Sequence, residues 1–588
     1  MEFIAHNLAP IMFAGLICFL LVGFPVAFSL GACGLFFAFI GIEMNVLPEA
    51  LLQALPLRIY GIMQNDTLLA IPFFTLMGLI LERSGMAEDL LDTIGQLFGP
   101  IRGGLALAVI FVGALLAATT GVVAASVISM GLISLPIMLR YGYDRRLAAG
   151  VIAASGTLEQ IIPPSLVLII IADQLGRSVG DMYKGAFLPG LMLTGFYASY
   201  VILLAVIKPQ WVPAMPPEAR TLREDNGKSG VPSLLVLTAI CTAASIYVAK
   251  NMPALHTWWS GEAVDKVALD ETIVVSMCFG VALAFVAASF NKITRLGLLS
   301  RAAERVTFAL IPPLLLIFLV LGTIFLGVAT PTEGGAMGAL GAIIMAVIRG
   351  RLSMSLLKQA LNTTTKLSCF VVFILVGATI FGLTFQGVDG PLWVEHLLSG
   401  LPGGQLGFLI VVNIMVFFLA FFLDFFELSF IVVPLLAPVA DKLGIDLIWF
   451  GVLLAINMQT SFMHPPFGFA LFYLRSVAPA KEYMDKVTKK MIAPVTTTQI
   501  YWGAIPFLCI QILMVALVIA FPGIVSSGLD KAEVYDLDKV RLEMEANMPA
   551  PMEQADPTAG MPGSEAPAED DPLKAMQESL SQDAEKKN

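Results

Sequence analysis

The chain has 588 residues, 57 % of them hydrophobic and 13 % charged, with a mean hydropathy of +0.85; soluble domains carry about 25 % charged residues, so a water-soluble core is excluded. Of the formal net charge of −10, residues 530–588 hold 15 acidic and 6 basic side chains, a net of −9. The remainder is nearly neutral, which leaves nucleic-acid binding without a basic footprint, and the chain reads as an all-α polytopic membrane protein with an acidic appendix.

The six cysteines (Cys18, Cys33, Cys241, Cys278, Cys369, Cys509) stand singly in apolar runs, where Cys behaves as a small hydrophobe. The histidines His6, His256, His396 and His464 show no metal-ligand spacing. Neither a disulfide framework, a resident metal nor a cofactor is expected.

A helix crossing roughly 30 Å of hydrocarbon needs about 20 apolar residues. The apolar stretch from Pro10 to Ile40 is too long for a signal peptide and lacks a basic flank. Runs long enough to cross lie at 10–41, 57–81, 147–172, 185–207, 233–250, 271–289, 307–349, 367–388, 447–474 and 492–522. Kinks at Pro25 and Pro331 divide 10–41 and 307–349 into pairs of short helices. Glu43–Tyr60 and Gly350–Lys366 mix Leu with charged residues, the pattern of interfacial helices or of plain loops. Residues 208–232, with five prolines, form a linker. The tail over 523–588, rich in Glu, Asp, Pro and Ala, lacks the apolar residues to fold and reads as disordered.

Two further stretches, 103–139 and 405–440, are too long for one span and are broken near the middle. Thr119, Thr120, Gly121 and Ser126 interrupt the first; Asp424, Glu427 and Ser429 interrupt the second. Each is either two short spans or a re-entrant hairpin. An offset of 302 residues pairs Gly85 with Gly387, Pro100 with Pro402, Gly142 with Gly444, Asp144 with Asp446, and Pro163-Pro164 with Pro465-Pro466. The chain is therefore two copies of one unit. Arg140, Arg145 and Arg146 follow the first hairpin, whereas Lys442 is alone after the second. Basic residues mark the cytoplasmic side, so the two copies are expected to be inverted, as in many secondary transporters. The first repeat covers 1–207, with a hairpin at 100–140 and a broken helix at 147–172. Residues 208–306 hold the linker and connecting helices. The second repeat covers 307–522, with a hairpin at 402–441 and a broken helix at 447–474.

Broken helices at membrane depth free carbonyls for cations and aim helix N-termini at anions. Four breaks qualify here. The first tip offers Thr119, Thr120, Gly121 and Ser126; the first proline-doublet break offers Ser155, Gly156, Thr157, Glu159, Pro163 and Pro164. The second tip offers Asp424 and Glu427, and the second break Thr460, Ser461, His464, Pro465 and Pro466. An Asp at the centre of a span costs roughly 2.5–3.5 kcal/mol, which a cation, a proton or an internal partner must offset. At the kink 327–335, Thr332 is expected to cap the following helix, with Glu333 in its first turn and Thr330 beside it as a secondary cavity-lining element.

The segments Ala153-Ala154-Ser155-Gly156-Thr157-Leu158, Ile161-Ile162-Pro163-Pro164-Ser165, Ala329-Thr330-Pro331-Thr332-Glu333, Phe422-Leu423-Asp424 and Pro465-Pro466-Phe467-Gly468 together resemble the large membrane subunit of tripartite ATP-independent periplasmic (TRAP) transporters, from about residue 10 to 522. The resemblance implies an elevator-type transporter of the bacterial inner membrane, driven by sodium. It also implies two partners, a small four-helix membrane subunit and a periplasmic binding protein that delivers an organic acid, with membrane lipids around them. Glu159-Gln160 and Met463-His464 depart from the small or apolar residues usual there, as does the Thr119-Thr120-Gly121 tip. These departures bear on substrate class and coupling ion. A self-sufficient sodium/anion symporter is the alternative reading. A polytopic membrane enzyme would need acidic or His-rich catalytic loops, and the loops contain none.

Overall fold

A computed structural model describes residue 3 and residues 6–529, apart from 121–122, 223, 225–228, 262–266, 296, 467 and 486. The tail beyond residue 529 lies outside the described residues. In chain order the first part holds α1 (Leu8–Leu21), α2 (Val26–Glu43), α3 (Leu55–Met63), α4 (Ala70–Arg83) and α5 (Met86–Phe98). Then come α6 (Gly104–Thr120), α7 (Val123–Arg140), α8 (Arg145–Thr157), α9 (Leu166–Gln174) and α10 (Val179–Ile207). The middle holds α11 (Val231–Lys250), α12 (Met252–Ser260) and α13 (Leu269–Thr294). The second part holds α14 (Arg301–Phe325), α15 (Pro331–Ile348), α16 (Met354–Gly387), α17 (Gly390–Ser399) and α18 (Gly404–Leu419). It ends with α19 (Phe425–Lys442), α20 (Leu447–Gln459), α21 (Phe469–Val477), α22 (Thr497–Ala520) and α23 (Gly523–Ser526). Among the described residues, 9 helices are long and apolar enough to cross a membrane, or up to 11 with bent pairs counted as one span.

Element boundaries recur at the spacing of the sequence repeat. Shifted by 302 residues, α7 falls on α19, α8 on α20, and the 3-10 turn Leu158–Gln160 on Thr460–Phe462. The repeated residues have a local cause. Gly142 and Gly444 end α7 and α19 at φ +82° and +70°, a backbone region that costs glycine little. Two residues on, Asp144 accepts from the N–H groups of Arg146 and Leu147, and Asp446 from that of Trp449, so each carboxylate caps the next helix.

The apolar run at 57–81 does not form one helix: a 3-10 turn at Asp66–Leu69 separates α3 from α4, and the chain bends by 47° there. Gly350–Lys366 does not form a separate interfacial helix either. Met354–Gly387 lacks proline, so the charged turns run straight into the apolar ones as one 34-residue helix. The linker is strapped down. Val212, Trp211 and Met215 exchange backbone hydrogen bonds with Gly103, Asp144 and Gly99 at the base of the first hairpin. Gly523–Ser526, expected to open the disordered tail, forms a helical turn whose Val525 is fully buried against Gly185.

Small residues allow the closest helix crossings, as they do where packing rather than water expulsion holds helices together. A Cβ on Gly377 would stand 2.4 Å from the Ala27 carbonyl oxygen, and one on Gly34 2.9 Å from the Ile380 backbone, so α2 and α16 touch backbone to backbone. Thr384 adds a hydroxyl donated to the Gly34 carbonyl at 3.0 Å. At the polar edge, Asp89 on α5 pairs with Arg349 and Arg351 after α15, at 3.2 and 2.8 Å. This ties the first half's α5 to the second half.

Candidate functional site

The site is assembled from helices too short to cross alone. Both α8 and α20 have 13 residues, and α9 and α21 have 9 each; at 1.5 Å per residue these reach about 20 and 14 Å. The joins follow from the sequence. Pro163 and Pro164 carry no N–H, so the carbonyls of Glu159 and Gln160 lose their helical donors, as Pro465 and Pro466 deprive those of Ser461 and Phe462. Both Pro-Pro bonds are cis.

The two breaks face each other. Gln459 donates its amide to the Thr157 hydroxyl at 3.2 Å, and these are equivalent positions of the two copies. The Thr157 and Thr460 hydroxyls donate back to the carbonyls of Ala154 and Asn457. Ser126 on α7 hydrogen-bonds the Glu159 carboxylate, joining the first hairpin to the first break. Ser155 is buried against Gly113, and Gly156 against Val127. Among the described residues, the Ser155 and Ser461 hydroxyls and the amide oxygens of Gln160 and Gln459 have no hydrogen-bond partner. His464 is fully buried, with its ring 4.3 Å from those of Phe417 and Phe421.

At the second tip, Asp424 is the N-cap of α19. It accepts from the Glu427 N–H at 3.0 Å, and Glu427 accepts from the Asp424 N–H at 3.0 Å. This capping box explains why two acids sit three residues apart at membrane depth. The side chains of Thr119 and Thr120, at the end of α6, and Gly121 lie outside the described residues.

A cavity of about 260 Å³ lies between the two tips. Its wall is made by the first residues of four helices: Val123 and Ala124 of α7, Leu166 of α9, Phe425 and Phe426 of α19, and Phe469 of α21. Asp424, Gln160, Phe462 and Tyr473 complete that side, and Leu367 and Phe370 of α16 close the other. The positive ends of four helices thus border one cavity. Its described lining carries no Lys, Arg or His.

Of the residues singled out from sequence, Asp424 lines this cavity, while Ser155, Thr157, Glu159, Thr460 and Ser461 are buried outside its lining. Thr330, Thr332 and Glu333 are not among its lining residues. There the cap is Thr330, not Thr332: Pro331 takes the first helical position, so Thr330 accepts from the Glu333 N–H and Glu333 closes a capping box. Thr332 donates instead to the Asp66 carbonyl at 2.7 Å. Tyr473 and the ring of Phe residues are not among the residues that the sequence points to, and Gln160 enters there only as a departure from the family pattern, although Phe425 and Phe469 each stand first in a helix after a break, a position visible in the sequence.

The family model of the tripartite ATP-independent periplasmic transporter DctM component matches residues 13–264 and 267–524. The chain belongs to this family. It is a transport protein rather than an enzyme, a multi-pass permease of the inner membrane. The C4-dicarboxylate TRAP transporter large permease protein DctM of Rhodobacter capsulatus is 27 % identical over 481 residues, 79 % of this chain and 89 % of that one. The sialic acid TRAP transporter permease protein SiaT of Haemophilus influenzae is 23 % identical over 506 residues, 86 % of this chain and 65 % of that one. The Alcanivorax borkumensis YdaH transporter superposes with a TM-score of 0.45 at 12 % identity, over 80 % of this chain and 88 % of that one.

Proposed function

We propose that the chain imports an organic acid coupled to sodium, together with a small four-helix membrane subunit and a periplasmic binding protein. One observation carries this reading: four helix amino ends and Asp424 meet at a cavity whose described lining carries no basic side chain. A carboxylate there is met by backbone N–H groups and helix dipoles. Sodium, a hard cation that takes oxygen ligands, is held by Asp424 with the freed carbonyls and the Thr460 and Ser461 hydroxyls. Relatives named for C4-dicarboxylate and sialic acid support an acid as cargo. Two sodium ions suffice for a modestly charged cargo: thousand-fold accumulation costs about 4.1 kcal/mol, and each ion supplies roughly 2.3 kcal/mol per 100 mV before its own gradient is added.

In this reading 100–172 and 402–474 form inverted repeats that move as one body past the remaining helices. From sequence, 185–207 counts among the helices that stay. The contacts of α10 support the opposite assignment: the Tyr183 hydroxyl donates to the Ser165 carbonyl, and a Cβ on Gly190 would stand 3.0 Å from Ile162. Reconstitution of all three proteins in vesicles tests the reading, with uptake expected only when every component and an inward sodium gradient are present. Robust sodium-driven uptake by the isolated chain would favour the self-sufficient symporter instead. Uptake that follows a proton gradient and ignores sodium would assign Asp424 or Glu159 to protons.

A further inference from the structure

We infer that the substrate this cavity accepts is a monocarboxylate with a flat, largely apolar body, such as an arylalkanoate, rather than a dicarboxylate or a polyhydroxylated acid. The inference rests on the transport reading above and narrows its substrate class. Six aromatic side chains face the cavity: Phe370, Phe425, Phe426, Phe462, Phe469 and Tyr473. They come from four segments on both sides, so a flat group inside has ring faces or edges around it. Phe425 already sits 3.9 Å from Phe426 and 5.9 Å from Phe462, centroid to centroid, and Phe462 sits 6.2 Å from Phe469. A bound ring at these separations extends an aromatic cluster, each pair adding about 0.5–1.5 kcal/mol beyond area burial.

The polar inventory is short. The described lining offers the side chains of Gln160, Asp424 and Tyr473. Gln160 is 2 % exposed, and its amide oxygen is buried without a partner among the described residues. A sugar acid would bring several hydroxyls, and each left unpaired costs about 1–3 kcal/mol. A second carboxylate would lie among rings without a cationic partner and near Asp424, which a buried charge tolerates poorly. One carboxylate at the helix amino ends places its body among the rings and brings no further polar group to bury.

The test is equilibrium binding to the purified membrane complex, this chain with its small subunit, in sodium-containing nanodiscs. Radiolabelled phenylacetate, succinate and N-acetylneuraminate are the probes. Phenylacetate is expected to bind saturably and about tenfold or more tighter than the other two. Phe426→Ala, and separately the milder Phe370→Leu, is expected to weaken it by about fivefold to tenfold; the second variant keeps the test decisive if the first does not assemble. Tighter binding of succinate or N-acetylneuraminate, or unchanged phenylacetate binding in Phe370→Leu, overturns the inference and leaves the transport reading standing. Binding of no acid, with or without sodium, overturns the transport reading as well.

Discussion

The two proline-doublet breaks share a backbone and differ in chemistry. In the first half the acid lies on the break: Glu159 takes a hydroxyl from Ser126 of its hairpin. In the second half the equivalent of Glu159 is Ser461, and the acids sit on the hairpin as Asp424 and Glu427. Packing shows the same exchange. Val127 meets Gly156 in the first half; at the equivalent pair Ser429 meets Met458, with the hydroxyl 3.6 Å from the sulfur. Large and small have changed places, and the second pair is the bulkier, with six side-chain heavy atoms against three, so the surroundings of the two pairs must differ as well. Each half settles its own pair and carries its own charge pattern.

The hardest way to break this comparison is to give the first half the second half's residue. Gly156→Met drives a side chain into Val127, whose Cγ2 already lies 2.4 Å from where a Cβ would be. The single change should cost about 3 kcal/mol or more and abolish assembly, read as the yield of monodisperse protein. Adding Val127→Ser should restore part of that yield, because it removes the Cγ2 that a Cβ at 156 would meet. A double variant no better than the single one would show that this contact does not decide the packing there.

The next effect separates the two acids. Asp424→Asn keeps a good N-cap, so the complex should assemble while the sodium concentration for half-maximal uptake rises by about tenfold. Glu159→Gln, which keeps an acceptor for the Ser126 hydroxyl, should change it by less than about threefold. Equal effects would return the halves to equivalence. A failure of Asp424→Asn to fold would make the capping box its whole role.

A smaller effect belongs to the bond between the halves. Gln459→Leu removes the donor to Thr157 and should lower stability by about 1 kcal/mol in thermal melts. Thr157→Val should cost less in that background than in the parent, since the bond to Gln459 is already gone and the one to the Ala154 carbonyl is left to lose.

The smallest is a pH effect. Asp485, in the loop after α21, binds Arg140 at the end of α7 at 3.0 Å and accepts from the Thr488 N–H and hydroxyl. Burial raises its carboxyl, but these hydrogen bonds and the guanidinium outweigh it and hold it down to about 2. A depressed carboxyl stabilises above its unfolded value and loses that contribution as the pH falls through about 2. Melting temperature should therefore drop between about pH 4 and pH 2 in the parent, and less in Asp485→Asn.

The legible part of this molecule was the part written in backbone chemistry. Gly142 with Asp144, and Gly444 with Asp446, announce a helix stop and a cap, and the proline doublets announce lost donors. Position 332 shows the margin of error: Thr330 and Thr332 are both capping residues, and the proline between them decides which one caps. The 34-residue α16 was divided because charge density fell along it, although nothing in its covalent structure breaks a helix. The cavity wall was least legible. Phe370 and Tyr473 reach it from helices with no break at those positions, and only the packing of distant segments brings them together.

The length of α16 has a mechanical consequence. Its 34 residues make a rod of about 51 Å, well beyond the roughly 30 Å of hydrocarbon, clasped to α2 along glycine contacts. Such a rod keeps its height in the bilayer, and Leu367 and Phe370 keep theirs with it. In the motion proposed above, the hairpin body carries its cargo away from both side chains. Apolar area that the cargo covers on these two side chains contributes about 25 cal/mol per Å², so leaving them behind lowers affinity. Grip then depends on position along the path: the cavity loosens its hold because one wall stays where it was.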